Sequence, residues 1–485
     1  MTTSHRSRSY LHAPAAVLSL LCATVVLSAA ACSTIPRADQ DLFAAARAND
    51  TAKAQRSLAE GANVNARDDR SFEGLPPLAW AAGWGSVETA ELLLARGAGI
   101  DGANEHGITA LHVAAFHEQP AVVALLLRHG ANVDARSEVG WTPLHKAMER
   151  LAVRPATEAP PDAEVANVVG SVKLLLASGA RIDVRASIVG TPLHLAALTR
   201  QRALVEMLLD HGAAVDARDD AGMSPLYQAA RMDAAGVAEL LLARGAEVNA
   251  RARHGNTPLS IAASEGNVAS ARVLLSHGAI VDARNQDGLT PLVWACGALM
   301  KSYTVRAPTA GAAGVRRAAP AGELRRDREA LRKVKGEFAA VAQLLIAHGA
   351  DPNVVAGDGT PLRAAALAGD ATLVRSLLEH GAAIDAAPTG ETPLLAAIAE
   401  SHGDVAKLLI AKGANVNARN FSQRTALHFL AVFMHDRGLA ELLIQRGADV
   451  NAKDVDGRTP LMNAIRARND EVADALRRAG GRMNR

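Results

Sequence analysis

The apolar residues of this chain come in short bursts. Val122-Val123-Ala124-Leu125-Leu126-Leu127, Val172-Lys173-Leu174-Leu175-Leu176 and Leu240-Leu241-Leu242 each run within a few residues into a Gly and then into a polar stretch. Bursts of this length closed by glycine predict short helices whose C-cap takes the left-handed conformation that glycine adopts without strain. Upstream of each burst lies a smaller one with a fixed opening: Thr109-Ala110-Leu111-His112, Thr142-Pro143-Leu144-His145, Thr191-Pro192-Leu193-His194 and Ser224-Pro225-Leu226-Tyr227. Thr257, Thr290, Thr360, Thr392, Thr425 and Thr459 open six more copies, and Pro76-Pro77-Leu78 is a degenerate first one. The hydroxyl predicts an N-cap that accepts an orphan amide. Proline follows at the first helical position, where its missing N–H costs nothing. Leu and the Ala-Ala pair after it predict a flat face that lets neighbouring helices approach. A stretch such as Ala131-Asn132-Val133-Asp134-Ala135-Arg136, with Gly140 at the turn, predicts a hairpin to the next pair.

From residue 76 the openings are spaced 33, 33, 49, 33, 33, 33, 70, 32, 33 and 34 residues apart. A fixed period of this size marks a stack in which no unit buries its apolar face alone. These motifs resemble the ankyrin repeat, and the resemblance covers essentially everything after residue 40. It implies an all-α solenoid of about twelve helix-turn-helix units joined by β-hairpin fingers over residues 40–485. Residues 40–67 supply a starting helix pair without the Thr-Pro-Leu opening, and 469–485, rich in Arg, Asp and Asn, form a solvated cap. The long intervals place insertions near 149–167 and 298–335. Pro155, Pro160 and Pro161 make the first a loop, and both fall between the first and second helices of a unit. Gln423 replaces the finger glycine in one copy and leaves that turn's geometry open.

The N-terminus has a different character. Arg6 and Arg8 precede an apolar stretch from Ala13 to Ala31, which ends Ala29-Ala30-Ala31-Cys32-Ser33. A basic start, an apolar middle and small residues before a break predict a signal peptide over 1–31. Its end resembles a bacterial lipoprotein signal, with Cys32 as the lipid attachment site, Ala29 where the motif usually has Leu, Val or Ile, and 32–39 as a tether. That resemblance implies the periplasm, with an anchor in the outer membrane of a Gram-negative cell. Cleavage without lipidation and an uncleaved anchor remain as alternatives. With Cys22 in the leader, Cys296 would be the one thiol left and has no disulfide partner.

Composition narrows the chemistry. Apolar residues make up 49% of the 485 but aromatics only 3%, as suits thin repeated layers better than one thick core. Charged residues at 21% with mean hydropathy +0.06 exclude a disordered polyelectrolyte, and a net charge of +2 excludes a strong nucleic-acid binder. The basic excess is local: residues 301–335 hold ten Lys/Arg against three Asp/Glu. Residues 323–335 read as a basic helix suited to anionic headgroups or an acidic partner, or equally as a solvated insert. No phosphate loop, zinc-protease, nucleophile-elbow or Cys-x-x-Cys motif occurs, so neither enzyme activity nor a cofactor is expected. Histidines in the fourth letter of the opening are expected to bond the hairpin backbone, as in the family. His129, His211, His277, His348 and His380 precede the Gly that ends the second helix. Ligands one repeat apart do not converge on an ion, so no metal is expected either.

In the family, partners bind along the groove between finger tips and first helices. By register this implies Phe72, Trp84, Phe116, Trp141, Phe421 and Phe433 as partner-binding residues, with Glu105, Glu138, Asp220, Arg253, Gln286 and Asp287 as a polar rim. The competing reading packs some of these aromatics between layers, with Phe433 against Phe429 and with Trp80 and Trp294 in the core. The expected function is a periplasmic, lipid-anchored scaffold or accessory protein that binds another protein. The alternative is an immunity or inhibitor protein that occludes a toxin or hydrolase. Nucleic-acid and small-molecule partners are not expected.

Overall fold

The structure, a computed structural model, describes residues 35–68, 74–155, 158–304, 336–355 and 359–483. Among the described residues it contains 24 helices and no strand. The chain divides into two compact units, Met1–Glu247 and Val248–Arg485. Within each, first helices pack on the first helices of the next pair and second helices on second helices.

The opening motif explains why. Thr109, Thr142 and Thr191 are buried N-caps in extended conformation, and the Leu that follows each is fully buried. Ala114-Ala115, Ala196-Ala197 and Ala229-Ala230 are likewise inaccessible, so neighbouring helices meet over methyl groups. The histidine of the opening then ties one layer to the next. Thr109 N–H donates to His112 Nδ1 at 3.2 Å, so the ring's remaining proton sits on Nε2 and goes to the Trp141 carbonyl at 3.1 Å. His145 reaches the Gly190 carbonyl at 3.3 Å, His194 that of Met223 at 3.0 Å and His428 that of Arg458 at 3.0 Å. Each acceptor immediately precedes the next unit's cap. Burial holds His112 and His145 down to about 4, and it lowers His194 and His428 as well. They are neutral wedges between layers. His211, His277, His348 and His380 instead turn Nδ1 onto the carbonyl four residues back, at 2.8–2.9 Å, and finish their helices.

A second ladder runs along the turns. The side chains of Asp101, Asp134, Asp183 and Asp216 accept the N–H groups of Asn132, Arg181, Ala214 and Glu247 in the following pair, at 2.8–3.1 Å. Asn249, Asn353, Asp385, Asn417 and Asn451 do the same in the second unit. Where the residue is Asn, its amide also donates to the carbonyl of the helix-ending glycine, as Asn417 does to Gly447 at 2.8 Å.

Three expectations need correction. Among the described residues the fingers are tight turns, with an isolated bridge at Ala186–Gly190, and not strand-paired β-hairpins. Their arms are too short for a ladder and spend bonds sideways, Glu138 N–H to the His106 carbonyl at 2.8 Å and Gln286 N–H to that of His254 at 3.0 Å. The insertion near 149–167 is mostly helix. It lengthens the first helix to 11 residues, Pro143–Val153, and the second to 16, Asp162–Ala177. An Arg154–Glu164 ion pair at 2.5 Å clamps the two extensions. The first helix of the stack starts at Arg37, inside the stretch read as a tether, because Ile35, Phe43 and Ala66 form a small core against Trp80. The second insertion begins as a helical extension, Pro291–Thr304; its remainder, including 323–335, lies outside the described residues. Gln423 keeps the finger turn: it adopts φ +57° and its N–H still reaches the Asn420 carbonyl at 2.8 Å.

Candidate partner-binding groove

The six aromatics separate by environment. Trp84 caps the helix Pro77–Gly83 and is 63% exposed. Gly83 and Gly85 flank it close to the next pair, the first facing Val113 and His117 and the second the end of the Gln119 side chain. The backbone on both sides of the indole is thus pressed on the next pair while the ring itself faces water. Phe116 ends the next first helix half-buried, edge-on to His117 at 5.0 Å between centroids. Phe421 is 79% exposed on a finger, its ring lying over Gly390 of the preceding finger. Phe433 is 47% exposed and packs on Phe429 at 5.8 Å between centroids. Phe72 lies outside the described residues, as does Cys32.

Trp141 does not line the groove. It is only 6% exposed, because its position before the Thr142 cap places it under the finger, where its carbonyl receives the His112 bond. The residue that register alone missed is Lys146. Its ammonium sits 4.9 Å from the Trp141 ring centroid and 5.3 Å from that of Phe116, and it pairs with Glu149 at 2.7 Å. Aromatic faces attract a cation at this range. The signal was present: in the corresponding place other units carry Trp80, Val113, Leu195, Gln228, Ile261, Trp294, Ala364, Ala396, Phe429 and Asn463, and Lys146 alone is charged. Trp80 and Trp294 are partly buried, Trp80 with the Arg47 guanidinium 4.6 Å over its ring. Beside the Lys146 cluster, Arg150 lies 3.3 Å from Glu118, whose carboxyl burial pushes up against the pull of that guanidinium.

The rim is partly wired. Glu138 meets His106 at 3.2 Å, Asp220 meets Arg185 at 3.4 Å, and Gln286 Nε2 donates to the Arg253 carbonyl at 3.1 Å. Among the described residues no group of three His, Cys, Asp or Glu side chains is placed to hold a metal, and no helix is long and apolar enough to cross a membrane. Cys296 is buried, and burial pushes its thiol up to about 12, far from a nucleophilic thiolate.

Short helix pairs stacked in register, with aromatics left exposed at finger tips and first-helix ends, define a helical-repeat binding protein. The family profile described as Ankyrin repeats (3 copies) matches residues 42–137, 163–252, 249–303, 330–420 and 419–485, and the chain belongs to that family. A solved structure of the human ASB11 ankyrin repeat domain is similar at 29% identity and a TM-score of 0.41, covering 49% of this chain and 98% of its own. No curated protein matches the chain. Repeats of this family serve as protein–protein interaction scaffolds.

Proposed function

We propose that the protein is a lipid-anchored periplasmic scaffold that holds another protein against the Trp84–Phe116 surface of its first unit. The observation that carries the reading is Trp84 itself. An indole 63% in water, on a backbone that closely approaches the next pair, is suited to anchor in a partner's pocket. The leader over 1–31, followed by Cys32, supports the address. An occluded toxin or hydrolase would use the same surface, and the identity of the captured protein separates the two roles. The test is a photo-crosslinking residue at position 84 in intact cells, with exposed Glu91 on the second helix as control. One protein captured from 84 and not from 91 supports the reading; identical captures overturn it. Cys32→Ala should move the protein from membranes to the soluble periplasm, and failure of the wild type to incorporate a fatty-acid analogue removes the anchor.

A further inference from the structure

The insertion near 149–167 does more than lengthen two helices. A cavity of 360 Å³ lies between it and the turn 198–201 that ends the next first helix, Pro192–Leu198. That volume falls in the range of small-ligand sites, about 300–1,000 Å³. Leu151, Pro155, Ala159 and Pro160 line it from the insertion and Leu198 from the next unit, which gives it an aliphatic wall. Both sides are held in place. Pro155 and Pro160 fix φ on one side, where the Arg154–Glu164 pair also ties the two helical extensions. Opposite, the Thr199 hydroxyl donates to the Ala196 carbonyl at 2.7 Å and accepts the Gln201 N–H at 3.1 Å. Arg200, at φ +62°, donates Nε to the Met232 carbonyl at 2.8 Å.

The polar groups of this lining are unevenly satisfied. Both bonds from Arg154 to Glu164 run from Nη2, at 2.7 and 2.5 Å, and Nε has no acceptor. The Gln201 side-chain amide makes no hydrogen bond among the described residues. Glu158 is exposed, and among those residues its carboxylate meets no cation. Behind Arg154, Glu118 faces Arg150 at 3.3 Å, so these two charges offset each other. The cavity therefore offers donors from Arg154 and Gln201, an acceptor from Glu158, and aliphatic surface beside them. A purely anionic ligand would meet the Glu158 carboxylate, and a purely cationic one would leave the Arg154 donor unanswered. A molecule carrying both charges satisfies each group.

We propose that this cavity binds a small zwitterion with an apolar side chain, of the class of apolar amino acids and dipeptides. Its carboxylate takes the donors of Arg154 and Gln201, its ammonium meets Glu158, and its side chain lies on Leu151 and Leu198. The lining shares no residue with the Trp84–Phe116 surface, so this is a ligand site beyond the scaffold role. Because Glu158 belongs to the insertion and Gln201 to the next unit, a bound ligand bridges two layers of the stack and stabilises them by mass action.

Isothermal titration calorimetry of the full chain tests this, with leucine and leucyl-leucine as probes, each also in N-acetylated and C-amidated form. Saturable binding of either free probe supports the proposal, and the tighter of the two gives the ligand's length. Blocking either end of that probe should cost at least about tenfold in affinity, as loss of a charged hydrogen bond does. Glu158→Gln should weaken the free probe by a similar factor and leave the N-acetylated form unchanged. Ala159→Trp, at an exposed position, should fill the cavity and abolish binding. Circular dichroism verifies that both variants fold. No saturable binding of either free probe up to about 5 mM, where even a millimolar site fills, overturns the proposal. So does equal binding of the blocked forms, or binding that Glu158→Gln and Ala159→Trp leave unchanged.

Discussion

Lowering the pH from about 7.5 to about 5 should cost the first unit some 4 kcal/mol through two histidines. His112 and His145 are fully buried, each with Nδ1 accepting an amide and Nε2 donating to the next layer, and burial holds both at about 4 against an ordinary 6.5. The unfolded chain therefore takes up the proton first. Their stabilisation is complete above pH 6.5 and is lost as pH falls toward 4. For a shift of this size the linkage integral gives a loss of about 2 kcal/mol per ring at pH 5 and about 3 at pH 4. His194, also lowered by burial, acts in the same direction. Urea unfolding followed by tryptophan fluorescence of a Trp294→Phe background isolates the effect, since Trp80, Trp84 and Trp141 all lie in residues 1–247. The double variant His112→Gln, His145→Gln should be weaker at neutral pH, having lost the imidazole bonds, but should show a much flatter pH profile. If it loses as much stability between the two pH values as the wild type does, the layer histidines are not what acid attacks.

The two tryptophans that register placed together should part company. Trp141→Ala should cost about 3–5 kcal/mol of stability as a buried truncation, whereas Trp84→Ala should shift stability by less than about 0.5 kcal/mol and cost about 2 kcal/mol of binding to the captured partner; urea melts and calorimetry check the pair. Gln423→Gly should raise stability by about 1 kcal/mol, because it relieves a left-handed non-glycine residue, and an unchanged melt would show that the turn carries no strain. Leu226→Ala, at a fully inaccessible position in the first unit, should cost about 2–5 kcal/mol in the same melts.

Much of the fold was legible from letters alone. Thr-Pro-Leu-His implied an N-cap, a first turn and an inter-layer bond, and the structure shows all three at Thr142, Pro143 and His145. These features are local and repeat, so each copy tests the others. The insertion near 149–167 was less legible, because Pro155, Pro160 and Pro161 pointed to a loop while the helix on either side is held by the Arg154–Glu164 clamp and by burial of Leu151. The Asx ladder could have been found, since Asp or Asn recurs after nearly every helix-ending glycine. Its acceptor role appears only when the next unit's amide is in place.

The candidate groove marks where sequence stops. Register assigns a residue to a finger or a helix end, and there it placed Trp84, Phe421 and Phe433 on exposed ground. Trp141 had the same kind of address and ended under its finger, while Lys146, in a column of uncharged residues, came to lie between two aromatic rings. Local geometry follows from caps, glycines and period because those forces act within a few residues. Which side chain is covered, and which charge has a counter-charge, depends on neighbours a whole repeat away, and only the stacked structure sets those distances.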